Sequence, residues 1–354
     1  MVRAVKNNMD NPRRITLRDV AMKAGVSVMT VSRALSGKSK AVSPATLQKC
    51  RSAAAELGYV PNLLARSLRG EQLNTFCMFA EFIANHHYLA ECVDLASREI
   101  EDRHQTVILC QSLNAFHHAI RSFNLTGALV IAPPESFYED PFGHRSLGPC
   151  AAPVTVLLHS AIAQQAFSEI SPDLEDMTFR CADHLIKLGH RHIAYFGGPR
   201  SSDEPHWFSL RERGIHRAFD LNGVPRSQLT HQQCTSIDTA PSYVRQLLAT
   251  APETTGIMCI NDEIAIVVIH ALQEIGRSVP SDISVLGCNN LTVGRYCRPA
   301  ISTFEFDIRG MVQIALDLLI DEMRARGLQR EKLRSIHPGN LVIRESTAPP
   351  PPQP

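Results

Sequence analysis

The sequence lacks the features of several classes of protein. No apolar run in its 354 residues reaches the roughly 18 residues that a membrane-spanning helix needs. The segment 1–14 is polar and basic without an apolar core, so no secretory signal is visible. The ten cysteines include no C-x-x-C pair, which favours free thiols over a disulfide framework or a zinc site. We therefore expect a cytoplasmic protein with no membrane partner.

Motifs for catalysis and nucleotide binding are also missing. The stretch "SGKS" at 36–39 resembles the end of a P-loop, but the glycine required five residues before Gly37 is Ser32. "GGPRSSDEP" has no G-x-G-x-x-G fingerprint, and the chain has no G-x-S-x-G elbow. The histidine pairs at 86–87 and 117–118 and the stretch "GHRH" at 189–192 show no ligand partners at metal spacing. The sequence thus predicts no catalytic residue, no metal site and no cofactor.

What the sequence does contain is a strong charge asymmetry. Residues 1–70 hold 13 Lys and Arg against 3 Asp and Glu, whereas the remaining chain holds 23 against 32. A basic head on an acidic body predicts that the head binds a polyanion. A solvated basic tail would have the same sign, but it would not carry helix periodicity and caps. The length also predicts two or three domains, because one core rarely grows so large.

Three short helices are predicted in the basic head. The first begins after the N-cap Thr16 and stops at Gly25. The second follows at once from the cap Ser27 and ends near Gly37, and the third begins after Ser43 and stops at Gly58. The second helix has two different faces. Its inward positions are Val26, Val31 and Leu35, and its outward positions are Val28, Met29, Ser32 and Arg33.

Beyond the head, apolar strands alternate with helices, which indicates parallel, doubly wound sheets. The predicted fold is a small all-α helix-turn-helix head with a hinge helix, joined to a two-lobed α/β body. The predicted segments are a disordered N-terminus at 1–14, a helix-turn-helix domain at 15–60, a hinge at 61–70 and a body at 71–345. We expect an N-lobe at 71–174 and 304–332, a C-lobe at 175–303 and 333–345, and a proline-rich tail at 346–354 that is disordered or extended.

Two motifs in residues 16–70 carry a family resemblance. They are T-L-x-D-V-A-x-x-A-G-V-S-x-x-T-V-S-R-x-L and, further on, L-G-Y-x-P-N-x-x-A-R-S-L. Looser matches continue in the body, in "LIKLGHRHIAYFGGP" and "CINDEIAIVVIHALQEIGRSVPSDISVLGCNN". The chain thereby resembles the lactose-repressor/galactose-repressor family of bacterial transcription regulators. The resemblance implies a periplasmic-binding-protein-like body that binds sugars and a head that binds DNA.

The resemblance also implies how the head contacts DNA. The second helix would lie in the major groove, with base edges read by Val28, Met29 and Arg33. Phosphate contacts are expected from Thr16, Thr30 and Ser32. The hinge would fold in the minor groove through Asn62, Ala65 and Leu68, with Leu68 as the wedge between base steps. Because hinge helices pair across the operator dyad, a homodimer and a palindromic operator are expected.

A small-molecule effector is expected in the cleft between the lobes. By resemblance its ligands are Asn85, Tyr88, Asp173 (with Asp176 as the alternative), Arg211, Asn261, Asn289 and Phe306. Asn289 departs from the family's aspartate and removes a negative charge. With Arg211 nearby, this change predicts an anionic ligand such as a sugar acid.

The sequence therefore predicts a nucleoid-associated regulator, most consistent with a repressor of sugar or sugar-acid catabolic genes. The alternative is a solute-binding protein of a transport system, which shares the body fold. The absence of a visible signal peptide and the presence of the head disfavour that alternative. An enzyme is disfavoured because no catalytic constellation is present.

Overall fold

The computed structural model describes the helical head and most of the body. The described residues are 15–35, 42–59, 75–81, 86–141 without 104, 124 and 126, 154–158, 167–198, 206–234, 236–325 and 331–352. The chain forms two compact units, Met1–Leu73 and Asn74–Pro354. Within the described residues, no helix has the length and apolar character to cross a membrane. The predictions for segment 1–14, the hinge at 61–70 with Asn62, Ala65 and Leu68, and Asn85 lie outside the described residues.

The described part of the head contains three helices, α1 (Leu17–Ala24), α2 (Val28–Leu35) and α3 (Pro44–Leu57). Their predicted caps are confirmed. The Thr16 hydroxyl accepts from the backbone N–H of Asp19, whose carboxylate accepts from the backbone N–H of Thr16 at 2.7 Å, a reciprocal capping box. Ser27 accepts from the backbone N–H of Thr30 at 3.1 Å and so caps α2. Gly25 ends α1 at φ +65°, a left-handed conformation that costs glycine little.

One small core joins the three head helices. Val20 from α1, Val31 from α2 and Cys50 from α3 are fully buried, and Ala21, Ala34, Ala53 and Ala54 fill the space between them. These residues follow the helical repeat of each segment, so a single apolar stripe per helix faces inward. The head is thereby held by contacts among α1, α2 and α3 themselves.

The described residues of the body form two sheets. The strands are β1 (Thr75–Phe79), β2 (Thr106–Cys110), β3 (Gly127–Ile131), β4 (Val154–Leu158), β5 (Ser168–Pro172), β6 (Ile193–Gly197), β7 (Leu229–Gln233), β8 (Gly256–Cys259), β9 (Ser284–Cys288), β10 (Ser302–Phe306), β11 (Arg334–His337) and β12 (Gly339–Val342). The helices are α4 (His87–Asp102), α5 (Leu113–Ser122), α6 (Glu135–Glu139), α7 (Leu174–Leu188), α8 (His206–Leu221), α9 (Ala240–Thr250), α10 (Asp262–Glu274) and α11 (Ile308–Arg324), with 3₁₀ turns at Arg226–Gln228 and Thr292–Arg295.

The order of the strands defines two lobes. The first sheet is ordered β11-β5-β4-β3-β1-β2 and is parallel throughout. The second is ordered β12-β10-β9-β8-β6-β7 and is parallel except for β12, which runs antiparallel to β10. Helix α11 packs against β3 and β4 of the first sheet, although β10 just before it belongs to the second. The chain therefore passes between the lobes at about residues 173, 307 and 338.

These passages differ from the predicted lobe boundaries at two places. Residues 304–306 belong to the C-lobe because β10 continues in register with β9 as far as the pair Phe304 and Cys288. Residues 333–337 lie with the N-lobe because β11 pairs with β5. Of the two alternatives predicted for the tail, disorder does not apply to residues 346–348, whose backbone is hydrogen-bonded to Ser284 and Val285 of β9. Ser346 is fully buried, and its hydroxyl donates to the carbonyl of Val285 at 2.6 Å.

One apolar cluster runs from the first lobe into the second. It includes the interior of the first sheet and reaches Met177, Cys288 and Phe306 of the second lobe. Tyr88 on α4 meets Phe306 on β10 edge to face, with ring centroids 5.8 Å apart. The two lobes are thus in direct apolar contact at the base of the cleft.

Candidate functional site

The two faces predicted for α2 are confirmed by burial. Val31 has no exposed surface, whereas Val28 is 43% exposed and Met29 is 64% exposed. Arg33 is also exposed, in the last turn of the same helix. The head therefore presents two apolar side chains and a guanidinium on one outward surface. Helix α2 has no acidic residue in its first turn. No carboxylate of that turn would therefore repel an anion bound at the N-terminus of the helix.

The hydroxyls proposed for phosphate contact have local partners. The Thr16 hydroxyl donates to the Asp19 carboxylate at 2.7 Å, and the Thr30 hydroxyl lies 2.8 Å from that of Ser27. Both residues stand in the first turn or at the cap of a helix, beside backbone N–H groups that have no intrahelical acceptor. The roles of Thr16, Thr30 and Ser32 at a phosphate remain predictions.

A cavity of about 390 Å³ opens between the lobes of the body. Its first-lobe wall comes from α4 and the start of α11, and its second-lobe wall comes from β10 and the loop after β9. The lining residues are His87, Glu91, Asn289, Asn290, Leu291, Thr292, Val293, Arg295, Glu305, Phe306 and Ile308. A cavity of this volume at an interlobe boundary is in the size range of small-molecule sites.

Three of the predicted effector residues meet at this cavity. Asn289 and Phe306 line it directly, and Tyr88 packs behind Phe306. Asn289 has φ +94°, a conformation that few non-glycine residues adopt, and its backbone N–H donates to the carbonyl of Phe304 at 2.8 Å. This hydrogen bond to β10 holds Asn289 on the wall despite its unfavourable backbone conformation.

The other predicted effector residues lie off this wall. Arg211 is buried on α8, beside Tyr195 and Cys288. Burial raises the pKa of Tyr195 to about 12, while the Arg211 guanidinium acts in the opposite direction. Asp173 caps α7 by accepting from the backbone N–H of Asp176 at 2.8 Å, and Asn261 caps α10 in the same way at 2.9 Å. The structure gives the last two a capping role, and effector contact remains a prediction for all three.

Charged residues of the cavity wall were missed by the sequence analysis. Glu91 and Glu305 face the cavity, and the pKa of Glu91 is raised by burial and by the nearby charges of Glu305 and Asp94. His87 reaches across the lobes to Glu263 on α10, with Nδ1 3.0 Å from Oε1. No local pattern reveals these residues, because they come together only when α4, β10 and α10 are placed side by side.

A buried aspartate positions the loop that carries Asn289. Asp262, the first residue of α10, accepts from the backbone N–H of Leu291 at 2.6 Å and from the Thr303 hydroxyl at 2.7 Å. Its side chain has no exposed surface, and a side chain at Gly287 would collide with its carboxylate. Asp262 thereby fixes the loop after β9 to β10.

A group of possible metal-ligating side chains lies away from the histidine pairs and the "GHRH" stretch considered in the sequence analysis. Glu212 and His216 on α8 and His231 on β7 each offer one donor atom, and these atoms lie within 4.8 Å of one another. The sequence analysis missed the set because it searched the paired histidines and because β7, "LTHQQ", was not predicted as a strand.

A helix-turn-helix head and a two-lobed α/β body with an interlobe cavity define a ligand-responsive DNA-binding protein. Residues 16–62 match the model of bacterial regulatory proteins of the lacI family, and residues 182–347 match a periplasmic binding protein-like domain. Catabolite control protein A of Priestia megaterium is 27% identical over 94% of this chain and 99% of its own length. The HTH-type transcriptional repressor PurR of Pectobacterium atrosepticum is 27% identical over 94% of this chain and 97% of its own.

A solved structure, the Lac repressor dimer bound to operator and the anti-inducer ONPF, is 26% identical with a TM-score of 0.79. It covers 95% of this chain and 100% of its own. The chain combines a DNA-binding domain that matches the lacI-family model with a periplasmic-binding-protein-like domain, as in the Lac repressor, and it is a DNA-binding transcriptional regulator with an effector-binding body. The relatives named here are regulators and not enzymes.

Proposed function

We propose that the chain is a homodimeric repressor that binds a palindromic operator and responds to a neutral sugar in its interlobe cavity. The observation that carries the DNA-binding half is the outward face of α2. Val28 and Met29 are exposed on a helix whose opposite face is buried, and Arg33 stands on the outward side. Apolar side chains suit thymine methyl groups, and a guanidinium suits the two acceptors of guanine.

The dimer follows from how such heads read DNA. A single three-helix head covers one half-site, and two heads related by a two-fold axis read a palindrome. The similar Lac repressor structure contains a dimer on its operator, which supports the same assembly for this chain. Relatives named as repressors support repression as the outcome of DNA binding.

The cavity favours a neutral, polyhydroxylated effector over a sugar acid. The substitution of Asn289 for aspartate removes one negative charge, but Glu91 and Glu305 supply two carboxylates on the same wall. Burial raises the pKa of Glu91, and the neighbouring charges of Glu305 and Asp94 raise it further, while Arg309 lowers it. Carboxylates accept hydrogen bonds from hydroxyl groups and repel an anionic ligand, and the one guanidinium on this wall, from Arg295, does not outnumber the two carboxylates, which supports a neutral ligand.

DNA binding is tested with the full-length chain and a library of random duplexes. Selection should enrich a palindrome, and its binding constant should fall about 10³-fold or more between about 50 and 200 mM salt, as for proteins that contact six or more phosphates. A chain that binds no duplex at the lower salt concentration would disprove the DNA-binding proposal.

The effector class is tested by a thermal-shift screen that pairs neutral sugars with their acids. The stabilising compound should be neutral, and it should change operator affinity. Glu91→Gln should lower the binding affinity for that compound about tenfold, since it replaces one acceptor oxygen on the wall with a donor. Glu101→Gln, on the same helix and exposed, is the matched control. Stabilisation by sugar acids alone would show that Asn289 and Arg211 outweigh the two carboxylates.

A further inference from the structure

A second cluster of titratable side chains lies in the second lobe, away from the interlobe cavity. Glu212 and His216 stand four residues apart on one face of α8, and His231 projects from β7. Oε1 of Glu212 lies 3.8 Å from Nε2 of His216 and 3.8 Å from Nε2 of His231. One carboxylate oxygen thus faces two imidazole nitrogens from two different elements.

The spacing of these atoms suits a common metal ion. Zinc binds imidazole nitrogen at about 2.0–2.1 Å and carboxylate oxygen at about 2.0–2.2 Å, so tetrahedral donors lie about 3.4 Å apart. The two observed separations exceed that value by a few tenths of an ångström, within the reach of small side-chain rotations. Two imidazoles favour zinc and similar transition metals over magnesium and calcium, which prefer oxygen donors.

The cluster is buried on the side of His231 and partly open to solvent on the side of Glu212 and His216. The side chain of His231 is only 6% exposed and packs edge to face on Tyr195, with ring centroids 6.1 Å apart. Glu212 and His216 are each about a quarter exposed, and His216 lines a surface cavity of about 620 Å³. The cavity provides a path for an ion and room for water as a fourth ligand.

We propose that Glu212, His216 and His231 bind a divalent transition-metal ion, with zinc as the ion that best fits the donor set. The ion would join α8 to the edge strand β7. Because Glu212 follows Arg211 directly, the same ion would fix the turn of α8 that carries the predicted effector residue. The surface cavity is also lined by Arg213, Arg217 and Arg226, which pair with the carboxylates of Glu175 and Asp220.

The competing interpretation is a set of His–Glu ion pairs without a metal. Elsewhere in the second lobe, His270 and Glu274 form such a pair at 3.6 Å, also four residues apart on one helix. Within the described part of the chain, no third His, Cys, Asp or Glu completes that pair into a metal-binding group. His270→Gln is therefore a control with the same local spacing and without the predicted metal ligation.

The test uses full-length protein that has been treated with a chelator and dialysed. Zinc is titrated in competition with a chromophoric chelator, and thermal unfolding is recorded with and without zinc or magnesium. We expect one zinc ion per chain, an increase in Tm with zinc but not with magnesium, and wild-type zinc binding in His270→Gln. His216→Gln and Glu212→Gln, both at partly exposed positions, should each lower zinc affinity at least tenfold, as should His231→Gln if it folds.

Two results would overturn the proposal. The first is an absence of stoichiometric zinc binding by the wild-type chain. The second is zinc binding that His216→Gln and Glu212→Gln leave unchanged, which would place the ion on other residues. Circular dichroism of each variant separates loss of zinc from loss of fold.

Discussion

The free energy of unfolding of the body should depend on pH through Asp262, and replacing Asp262 with asparagine should remove that dependence. Asp262 has no exposed surface, and its two oxygens accept from the Leu291 backbone and the Thr303 hydroxyl. Burial raises the pKa of Asp262 from 3.8 to about 7, although both hydrogen bonds act to lower it. Asparagine retains one acceptor for the Leu291 N–H and can donate to the Thr303 hydroxyl oxygen.

The size and sign of the effect follow from the two pKa values. In the unfolded chain Asp262 releases its proton above pH 3.8, whereas the folded chain keeps it until about pH 7. Between these values the unfolded state binds fewer protons, so the free energy of unfolding falls as the pH rises. The contribution is fully present below pH 3.8 and lost above about pH 7. The difference of about three pKa units corresponds to about 4 kcal/mol.

The assay is urea denaturation of the full-length chain at a series of pH values between about 4 and 8. The free energy of unfolding of Asp262→Asn, relative to wild type, should rise by up to about 4 kcal/mol across this range. Asp238→Asn, at an exposed position, serves as the control for loss of a surface carboxylate. Wild type and Asp262→Asn curves that stay parallel at every pH would show that Asp262 is ionised in the folded body.

Further predictions concern the two faces of α2 and the contact between the lobes. Val31→Ala removes two methyl groups from a fully buried site and should destabilise the head by about 2 kcal/mol, seen as faster amide exchange in α1–α3 of the full-length chain. Met29→Ala should change stability by less than about 0.5 kcal/mol but alter the bases selected from random duplexes; an unchanged base preference would remove Met29 from the DNA-reading surface. His87→Gln breaks the contact with Glu263, and because His87 is 70% exposed the loss should be at most about 1 kcal/mol. Calorimetry with the sugar from the screen should therefore show at most about a fivefold change in Kd, and a larger change would make this pair a main determinant of lobe closure.

The head could be predicted almost completely because its signals are local. Helices α1 and α3 begin and end at cap residues, among them Thr16 and Gly25 for α1, and α2 begins at the cap Ser27. The faces of α2 follow from the helical repeat alone, since Met29 and Val31 are two positions apart and therefore point in different directions. A segment whose structure depends on neighbours within four residues can be interpreted from its sequence without knowledge of the fold.

The body was harder to predict because several of its strands have no apolar run of their own and form only by pairing with neighbouring strands. The strands "SEISP", "LTHQQ", "RSIH" and "GNLV" lack the apolar runs of the central strands, and none was predicted. Ser168 and Glu169 of β5 are nevertheless buried, because Ser168 bonds to Glu322 and Glu169 lies 3.9 Å from Arg334. Polar residues can occupy an interior strand when distant side chains satisfy them, and that compensation is invisible in the strand itself.

The effector cavity shows why one substitution is a weak guide to ligand charge. Taken alone, Asn289 in place of the family's aspartate indicates a site with one negative charge fewer. The folded chain sets Glu91 and Glu305 on the same wall, although they are separated from each other by most of the body sequence. Because Coulomb energy depends on distance in space, the sign of the site is determined by every charge on its wall, including those from α4 and β10. In the proposed site, Asn289 is expected to take part in hydroxyl recognition, while Glu91, Glu305 and Arg295 together decide whether an anion is admitted.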